Sequence, residues 1–405
     1  MEEMRNSTIR KMNHNTDGAG KDTLIWMIMN LPRDIIFDIL CRLPIESVLQ
    51  CMSVCKLWST FRYDSYFINL HFTQSMMHPP TTLVLRPSLL ISPNDNLTRM
   101  SSLLMVSPDG EAGGEWKARC IPMGFELSGS YLDIVGSCNG ILCIASVEGA
   151  NGQICLFNPI TRQRFMLPKS HLFLPPTNSR PMNIIGFGVD SLTMKYKVIR
   201  VSELPNKDFR CCEIITVGES SWRKLEGFPR LPQNRYMTDT VFLNGTFYWP
   251  THYLDHPYGD YILGIDVDTE KSWTIDDCCP QSRVAIVRRS LIQIDGSLAI
   301  IDYHKYSMAV DVWLIKGGKT MGFSFTLTTY DMSGIYHWGR IYSVMAKYGD
   351  DIFLLNILRY VKGKPQISLL LYSPVKKQQY LYVEGGLWNL RLGNWMVPSL
   401  KALNL

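Results

Sequence analysis

The chain has 405 residues, a length that suits two unequal domains or one large repeat fold. Apolar residues make up 46% of the sequence and charged residues 19%, a balance that is typical of globular proteins and excludes a largely disordered chain. Lysine and arginine number 41 against 36 aspartate and glutamate residues, and no long basic run occurs, so we expect neither nucleic-acid binding nor membrane binding.

Residues 1–29 are expected to form a flexible N-terminal segment. The first 23 residues are polar and mixed in charge, and the apolar run LIWMIM at 24–29 is too short for a secretory signal or a membrane-spanning helix. The 11 cysteines are scattered, mostly within apolar runs, as buried free thiols in a reducing compartment would be. We therefore expect a protein of the cytoplasm, the nucleus or both.

Residues 31–44, LPRDIIFDILCRLP, predict one short helix with an unusually wide apolar surface. The two Leu-Pro pairs bound the helix, since proline suits its first turn and disfavours helical angles in the residue before it. On a helical wheel Asp34, Asp38 and Arg42 share one polar stripe, and the apolar arc spans roughly 240°, against the ~100° that a surface helix buries. One packing neighbour does not cover this arc, so a second is expected, inside the chain or outside it.

Two further helices are predicted after this one. The first covers residues 45–58, IESVLQCMSVCKLW, and again carries apolar side chains over more than half of its circumference. The second covers residues 65–72, SYFINLHF, with Asp64 as its N-terminal cap. Three helices this short cannot bury their own apolar area. One interpretation is a helical cap that docks on the rest of the same chain.

Residues 30–72 resemble an F-box over their whole length, without a gap. The matching features are Leu31-Pro32, Ile39-Leu40, Arg42-Leu43-Pro44, Ser47-Val48, Val54-Cys55-Lys56 and Trp58. The resemblance implies that the second neighbour is the Skp-family adaptor of cullin-based ubiquitin ligases. The adaptor-binding residues that it implies are Pro32, Ile36, Leu40, Leu43, Pro44, Val48, Val54 and Cys55. Trp58 and Phe61 are expected to pack the F-box itself.

Residues 73–405 are predicted to form one mainly β domain. Turn dipeptides are followed at once by apolar runs, as in CNGILCIAS, LNGTFYWPT, IDGSLAIID and GDDIFLLNI. Asn-Gly and Asp-Gly predict type I′ hairpins, because both central residues of that turn need positive φ. These turns begin at Asn139, Asn244, Asp295 and Asp350, so their separations are 105, 51 and 55 residues.

A period near 50 residues, with about four strands in each repeat, predicts a β-propeller of the kelch kind. Six sites with this spacing lie between about residues 87 and 350, which favours six blades. Closure is expected from pairing of the chain ends through GLWNLRLGNWMVPSL. The predicted fold class is therefore mainly β with a small α domain, a three-helix F-box followed by a six-bladed propeller. The alternative is a pair of stacked β-sandwiches.

Residues 136–379 also resemble the F-box-associated domain of plant F-box proteins. The likeness rests on GSCNGILCI, LFNPITRQRFMLP, GFGVDSLTMKYKVIRV, SSWRKLEG, FLNGTFYWP and SLLLYSPVKKQQ. The stretch 317–345 follows the family pattern loosely. The resemblance implies a domain that binds a protein target and leaves the identity of that target open.

The sequence carries no motif for catalysis. GGKT at 317–320 lacks the first glycine of a phosphate loop, because that position is Trp313, and neither G-x-S-x-G nor CxxC occurs. His252 and His256 have i, i+4 spacing, but the proline and glycine of THYLDHPYGDY predict a loop there. We expect no enzymatic activity, no cofactor and no metal.

The strands that follow the turn dipeptides should end on one common face of the propeller. The residue types near those ends, and in the loop YDMSGIYHWGR, are the ones that anchor protein interfaces. The candidate target-binding residues are His252, Tyr253, Tyr303, His304, Tyr336, Trp338, Arg359 and Tyr360.

The sequence therefore predicts the substrate-recognition subunit of a Skp–cullin–F-box ubiquitin ligase. The F-box would bind the adaptor and, through it, a cullin scaffold, while the propeller would hold a protein target for ubiquitination and degradation by the proteasome. Two alternatives remain open. One is a propeller hydrolase or carbohydrate-binding protein with a helical leader, which needs polar residues converging on the central channel. The other is a non-proteolytic F-box scaffold.

Overall fold

The computed structural model divides the chain into two compact units, Met1–His78 and Pro79–Leu405. The residues that the structure describes are 31–77, 82–85, 102–108, 116–125, 127, 132–146, 152–170, 184–202, 210–231, 235–237, 240–253, 261–276, 286–304, 309–316, 319–326, 340–348, 352–361, 364–373, 375–376, 378–383 and 394–396. Among these residues, none of the helices has the length and apolar character needed to cross a membrane.

The described part of the first unit contains four α-helices and one 3-10 helix. They are α1 (Arg33–Leu40), α2 (Ile45–Met52), α3 (Lys56–Ser59), the 3-10 helix (Thr60–Tyr63) and α4 (Ser65–Met76). The single helix predicted over residues 45–58 is therefore wrong, and the predicted three-helix count with it. Cys55 takes extended backbone angles, and its sulfur accepts a hydrogen bond from the backbone N–H of Trp58 at 3.4 Å. Cys55 is thus the N-cap of α3, a helix separate from α2, which ends at Met52.

The predicted cap at Asp64 is confirmed. Its Oδ1 atom accepts a hydrogen bond from the backbone N–H of Phe67 at 2.9 Å, at the positive end of the α4 dipole. The same carboxylate pairs with the guanidinium of Arg33, the first residue of α1. Asp64 therefore holds the starts of α1 and α4 together. Helix α4 continues to Met76, beyond the predicted end at residue 72.

Three phenylalanines form the centre of the helical unit. The ring of Phe37 on α1 lies 4.9 Å from the rings of both Phe61 and Phe67, and these two lie 6.0 Å apart. All three side chains are buried, as is Trp58. Burial confirms the prediction that Trp58 and Phe61 pack the unit itself.

The second unit contains 25 strands within its described residues. The first ten are β1 (Thr82–Leu85), β2 (Ser102–Pro108), β3 (Trp116–Pro122), β4 (Leu132–Cys138), β5 (Ile141–Ser146), β6 (Ile154–Phe157), β7 (Arg164–Met166), β8 (Ile184–Val189), β9 (Tyr196–Ser202) and β10 (Cys211–Thr216). The next eight are β11 (Arg223–Lys224), β12 (Arg235–Met237), β13 (Val241–Leu243), β14 (Thr246–Tyr253), β15 (Tyr261–Asp266), β16 (Ser272–Asp276), β17 (Ile286–Ile294) and β18 (Ser297–His304). The last seven are β19 (Ala309–Lys316), β20 (Lys319–Thr326), β21 (Arg340–Tyr348), β22 (Ile352–Val361), β23 (Lys364–Ser373), β24 (Gln378–Val383) and β25 (Asn394–Met396).

These strands form six antiparallel sheets in the described part of the unit. In order from first to fourth strand, sheet 1 is β25-β1-β2-β3, sheet 2 is β4-β5-β6-β7, sheet 3 is β8-β9-β10-β11, sheet 5 is β17-β18-β19-β20 and sheet 6 is β21-β22-β23-β24. Sheet 4 is β12-β14-β15-β16, with β13 also paired to β14. In sheet 4, β12 and β13 share the first-strand position, since both pair with β14. The first strands β25, β4, β8, β13, β17 and β21 neighbour one another in a closed ring. A helical N-terminal domain followed by a β-propeller is therefore confirmed.

The ring is closed by the two ends of the propeller chain. In sheet 1 the late strand β25 pairs with the early strand β1, which places Trp395 opposite Leu83. This pairing confirms the closure expected from GLWNLRLGNWMVPSL. It completes sheet 1 with a fourth strand and places that strand in the ring of first strands.

The predicted type I′ turns are confirmed where the structure describes them. The φ angles of Asn139, Asn244 and Asp295 are 52°, 49° and 48°, and the glycine after each is also positive. Each turn joins the first strand of a sheet to the second. The fourth predicted turn, at Asp350, lies outside the described residues.

A second turn of six residues recurs at Asn158, Asp190 and Asp266. In each copy, the side-chain oxygen of the first residue accepts the backbone N–H groups of the third and fourth residues at 2.6–3.1 Å. The fifth residue has a φ angle between 57° and 65°, and its N–H donates to the carbonyl of the first residue at 2.8 Å. The shared pattern is Asx-x-x-Thr-x-Gln/Lys, in which the Asx side chain organises the turn.

Sheets 3 and 4 pack closely because β8 carries two glycines. A Cβ atom added at Gly188 would overlap the ring of Phe242, which lies on the backbone at that point. A Cβ added at Gly186 would lie 2.8 Å from Cγ2 of Thr240. The motif GFG in β8 therefore provides the space that the next sheet occupies.

We predict that Gly188→Ala lowers the free energy of unfolding by about 1–3 kcal/mol, because the added methyl group forces Phe242 or β8 to move. The measurement is denaturant-induced unfolding of the purified chain. Gly136→Ala is the matched control, since the nearest atom to its added Cβ would be the Cβ of Phe187 at an ordinary 3.7 Å. Equal losses in the two variants would contradict the close approach.

Candidate interaction surfaces

Helix α1 divides its wide apolar arc between two sides. Ile36, Phe37 and Leu40 are buried inside the helical unit, whereas Ile35 and Ile39 are 47% and 48% exposed. Phe61 and Phe67 supply the internal neighbour of the buried side. Part of the arc is therefore left for a neighbour outside this unit.

The structure buries three members of the predicted adaptor-binding set inside the helical unit. The three members with exposures of 3% or less are Ile36, Leu40 and Val48. The other five are Pro32, Pro44 and Val54, which are exposed, and Leu43 and Cys55, which are partly exposed. The exposed and partly exposed members offer surface to a partner, and adaptor binding by the eight residues stays a prediction.

Sequence reasoning missed most of the exposed apolar residues of the helical unit. Between residues 33 and 59, five of them have exposures of 39–61%: Ile35, Ile39, Leu49, Val54 and Leu57. We call these five residues, together with Leu43 and Pro44, the apolar helical surface. Ile35 and Ile39 lie four residues apart on α1, which places them in one row beside the polar stripe. Exposed apolar residues in this number within residues 35–57 make this part of the unit a candidate site of protein interaction.

The antiparallel order of the sheets gives the propeller two different faces. First strands are connected to second strands, and third to fourth strands, at one face, which we call the turn face. This face includes the turns at Asn139, Asn158, Asp190, Asn244 and Asp266. Second strands end at the opposite face, which we call the loop face. Fourth strands also end there and the first strands of the next sheets begin there, as at the end of β7 (Met166) and the start of β8 (Ile184).

The structure brings three predicted target-binding tyrosines to the loop face. Tyr253 is the last residue of β14, Tyr303 the last but one of β18, and Tyr360 the last but one of β22. Each therefore lies within the last two residues of the second strand of sheet 4, 5 or 6. The backbone of each is paired within its sheet, so all three lie in strands.

The other predicted target-binding residues divide into two groups. His252, His304 and Arg359 lie in the same strand ends as the tyrosines. Tyr336 and Trp338 fall outside the described residues.

Two arginines at the loop face were not predicted from the sequence. Arg235 on β12 lies opposite Tyr253, and Arg288 on β17 lies opposite Tyr303. An arginine and a tyrosine thus share one register position in two successive sheets. The arginines precede the turn that leads to their tyrosine, so only the strand register reveals the pairing.

A buried group of charged side chains joins sheets 3 and 4 at the turn face. The Lys197 ammonium lies 2.8 Å from Asp190 Oδ2 and 3.1 Å from Glu270 Oε1, and it donates to the carbonyl of Val267 at 2.8 Å. Glu270 also pairs with the guanidinium of Arg223. Every charge in the group has an opposite partner, so its arrangement suits a structural role.

The pKa values of this group follow from those contacts. Burial favours the neutral carboxylic acid at Asp190, but hydrogen bonds from Lys197 and Thr193 outweigh it and lower the pKa of Asp190 to about 2. The pKa of Glu270 is also lowered, because hydrogen bonds from Arg223 and Lys197 outweigh the effect of burial. Within the described ranges, no group of three or more His, Cys, Asp or Glu side chains could hold a metal ion.

Comparison with known proteins decides the family. The profile of the F-box domain matches residues 28–61, and that of the F-box associated beta propeller domain matches residues 94–343, more than half of the chain. F-box protein At3g07870 of Arabidopsis thaliana is 26% identical over 83% of this chain and 76% of its own length. The chain belongs to the plant F-box proteins with an F-box-associated propeller.

Further relatives of the F-box protein are similar over most of its length. Putative F-box protein At5g52610 of Arabidopsis thaliana is 22% identical over 87% of this chain and 90% of that protein. F-box/kelch-repeat protein At3g23880 of the same plant is 21% identical over 78% of this chain and 79% of that protein. Among solved structures, TolB from Acinetobacter baumannii shares a TM-score of 0.39 and 13% identity over 80% of this chain and 71% of that chain.

We predict that Lys197→Met destabilises the F-box protein by about 3 kcal/mol at pH 7, because it leaves a buried Asp190 without its cation. The depressed pKa of Asp190 gives stability that is complete above about pH 4 and is lost as pH falls toward 2. The variant should therefore lose less stability than the wild type on acidification. Denaturant unfolding at a series of pH values measures both effects.

Lys195→Met is the matched control for Lys197→Met. It removes the same charge from the same turn, at an exposed position. Its free energy of unfolding should stay within about 0.5 kcal/mol of the wild type at every pH. A control that behaves like Lys197→Met would show that the turn responds to overall charge and not to the buried pair.

Proposed function

We propose that this F-box protein is the substrate-recognition subunit of a Skp–cullin–F-box ubiquitin ligase. The observation that carries the proposal is the apolar helical surface, which lies on a domain whose family implies binding of a Skp-family adaptor. Ile35 and Ile39 are already half buried, so each would contribute about 0.7–1.5 kcal/mol if an adaptor buried the remaining half. The ion pair between Asp38 and Arg42, at 3.0 Å, borders this row on α1 and keeps that edge polar.

The propeller is proposed to hold the protein target by its loop face. Three tyrosines, two histidines and at least three arginines lie near the strand ends there, and tyrosine and arginine are common anchors of interfaces. No nucleophile is required of this chain, because holding the target near a ubiquitin-loaded enzyme raises its effective concentration. We place this activity in the cytoplasm, the nucleus or both.

Reconstitution tests the proposal directly. The purified F-box protein is mixed with adaptor, cullin and the ubiquitin-transfer enzymes, and its captured proteins are then examined for ubiquitin. Ubiquitin transfer that depends on the F-box protein is the expected result. Adaptor binding without any transfer to a captured protein would instead favour the non-proteolytic scaffold.

We predict that Ile39→Asp abolishes adaptor binding while the chain stays folded. Ile39 is about half exposed, so a carboxylate there stays hydrated in the free protein but would be buried unpaired in the complex. Affinity for the adaptor should fall at least about a hundredfold. Titration calorimetry measures the affinity, and circular dichroism reports whether the helices persist.

Asn69→Asp is the control for the added charge, since Asn69 is an exposed residue of α4 outside the apolar helical surface. It should bind the adaptor as the wild type does. Leu40→Asp provides the opposite comparison, because it buries a carboxylate inside the unit and should unfold it. Wild-type affinity in Ile39→Asp would rule out the apolar helical surface as the adaptor site.

We predict that alanine at Tyr253, Tyr303 and Tyr360 together reduces target capture without unfolding the propeller. The backbone pairs of these strands do not depend on the side chains, whereas interface aromatics contribute several kcal/mol when they are hot spots. Capture is compared by mass spectrometry with ubiquitin transfer blocked. Thermal unfolding checks the fold.

The matched control changes Leu192 and Met194 to alanine. Both are exposed apolar residues of the Asp190 turn at the turn face. Proteins retained by the control and lost by the triple tyrosine variant would be targets of the loop face. If the control lost them and the tyrosine variant kept them, target binding would belong to the turn face.

A further inference from the structure

Helix α4 begins after the part of the chain that matches the F-box profile, which ends at residue 61. It nevertheless belongs to the same packed unit. Phe67 on α4 is fully buried and its ring lies 4.9 Å from that of Phe37 on α1. One turn further along the same side of α4 lies His71, whose exposure is only 1%.

His71 makes a specific contact with the connection between α1 and α2. Its Nε2 atom lies 3.1 Å from the backbone carbonyl oxygen of Leu43. A carbonyl only accepts hydrogen bonds, so Nε2 carries the proton and donates it. Nδ1 then faces the hydroxyl of Ser75 at 3.4 Å. Burial lowers the pKa of His71, which favours this neutral ring.

Leu43 belongs to the apolar helical surface and lies in the connection between α1 and α2. Its N–H donates to the carbonyl of Leu40, the last residue of α1, at 3.1 Å, and the next residue, Pro44, is the N-cap of α2. Exposed residues flank the connection on both helices, Ile39 on α1 and Leu49 on α2. The orientation of the peptide between Leu43 and Pro44 therefore sets how these two exposed side chains are arranged.

We propose that His71 is a positioning residue for adaptor binding, which fixes the Leu43 carbonyl and thereby holds the exposed residues of α1 and α2 in one surface. The proposal rests on the proposed function, because it assigns a role in adaptor binding to a residue outside the F-box match. His71 itself is buried and does not touch the adaptor. Its effect is transmitted through one hydrogen bond to the connecting turn.

The chemistry of the side chain selects the variants. Glutamine places an amide N–H near the position of Nε2, so His71→Gln can still donate to Leu43. Asparagine is one carbon shorter and reaches only the position of Nδ1, so His71→Asn keeps an amide but loses this bond. His71→Phe keeps the ring volume and removes both nitrogens.

The experiment measures adaptor affinity and thermal stability for the full-length wild type and these three variants. His71→Phe and His71→Asn should each weaken adaptor binding by about tenfold or more, since each loses one hydrogen bond that orders the surface. His71→Gln should stay within about threefold of the wild type. Phe72→Leu is the control, because it perturbs the same helix at a buried position beside His71. It should lower the melting temperature with little change in affinity.

Three outcomes would overturn the proposal, and they are distinguishable. Wild-type affinity in folded His71→Phe and His71→Asn would remove the role of His71 and leave the proposed function intact. If every variant, including Phe72→Leu, lost adaptor affinity in proportion to its loss of melting temperature, His71 would be a packing residue only. A wild-type chain that binds no adaptor would overturn the proposed function and this proposal together.

Discussion

Closure of the ring of first strands is the constraint on which the propeller depends. Each sheet buries both of its sides against neighbouring sheets, so a gap anywhere would expose two apolar surfaces at once. The gap between the chain ends is filled by β25, which pairs with β1 in sheet 1. The core between sheets 1 and 2, where Val84, Leu103 and Phe157 are all fully buried, relies on that closure.

Close packing between sheets then explains the local chemistry of the propeller. Gly188 leaves room for the ring of Phe242 from the next sheet, and Lys197 bridges the turns of both sheets through Asp190 and Glu270. At the same face Ser191 donates its backbone N–H to Asp268 at 2.8 Å. These contacts join sheets 3 and 4 at the turn face. The loop face holds the ends of the second strands, where Tyr253 and Tyr303 lie.

The helical unit meets the same requirement of burial in a different way. Its inner side is satisfied by the three phenylalanines, but four short helices cannot enclose the whole apolar arc of α1. The remaining part, with Ile35 and Ile39, faces outward. An incomplete unit of this kind gains stability from a partner, which connects its composition to the proposed role as an adaptor-binding module. His71 links the outer surface to the inner core.

The sequence by itself determined the two-part architecture, the turns and the family, because these depend on local rules. Asn139 and Asn244, each followed by glycine, predict positive φ angles, Asp64 predicts a helix cap, and the 50-residue spacing predicts repeated sheets. Only the tertiary structure decided which side of α1 is buried. Leu40 and Ile39 are both apolar, and a helical wheel does not show against which of them the other helices pack. The same holds for Arg235 opposite Tyr253 and for His71 beside Leu43, since contacts between distant residues follow from strand register and helix packing.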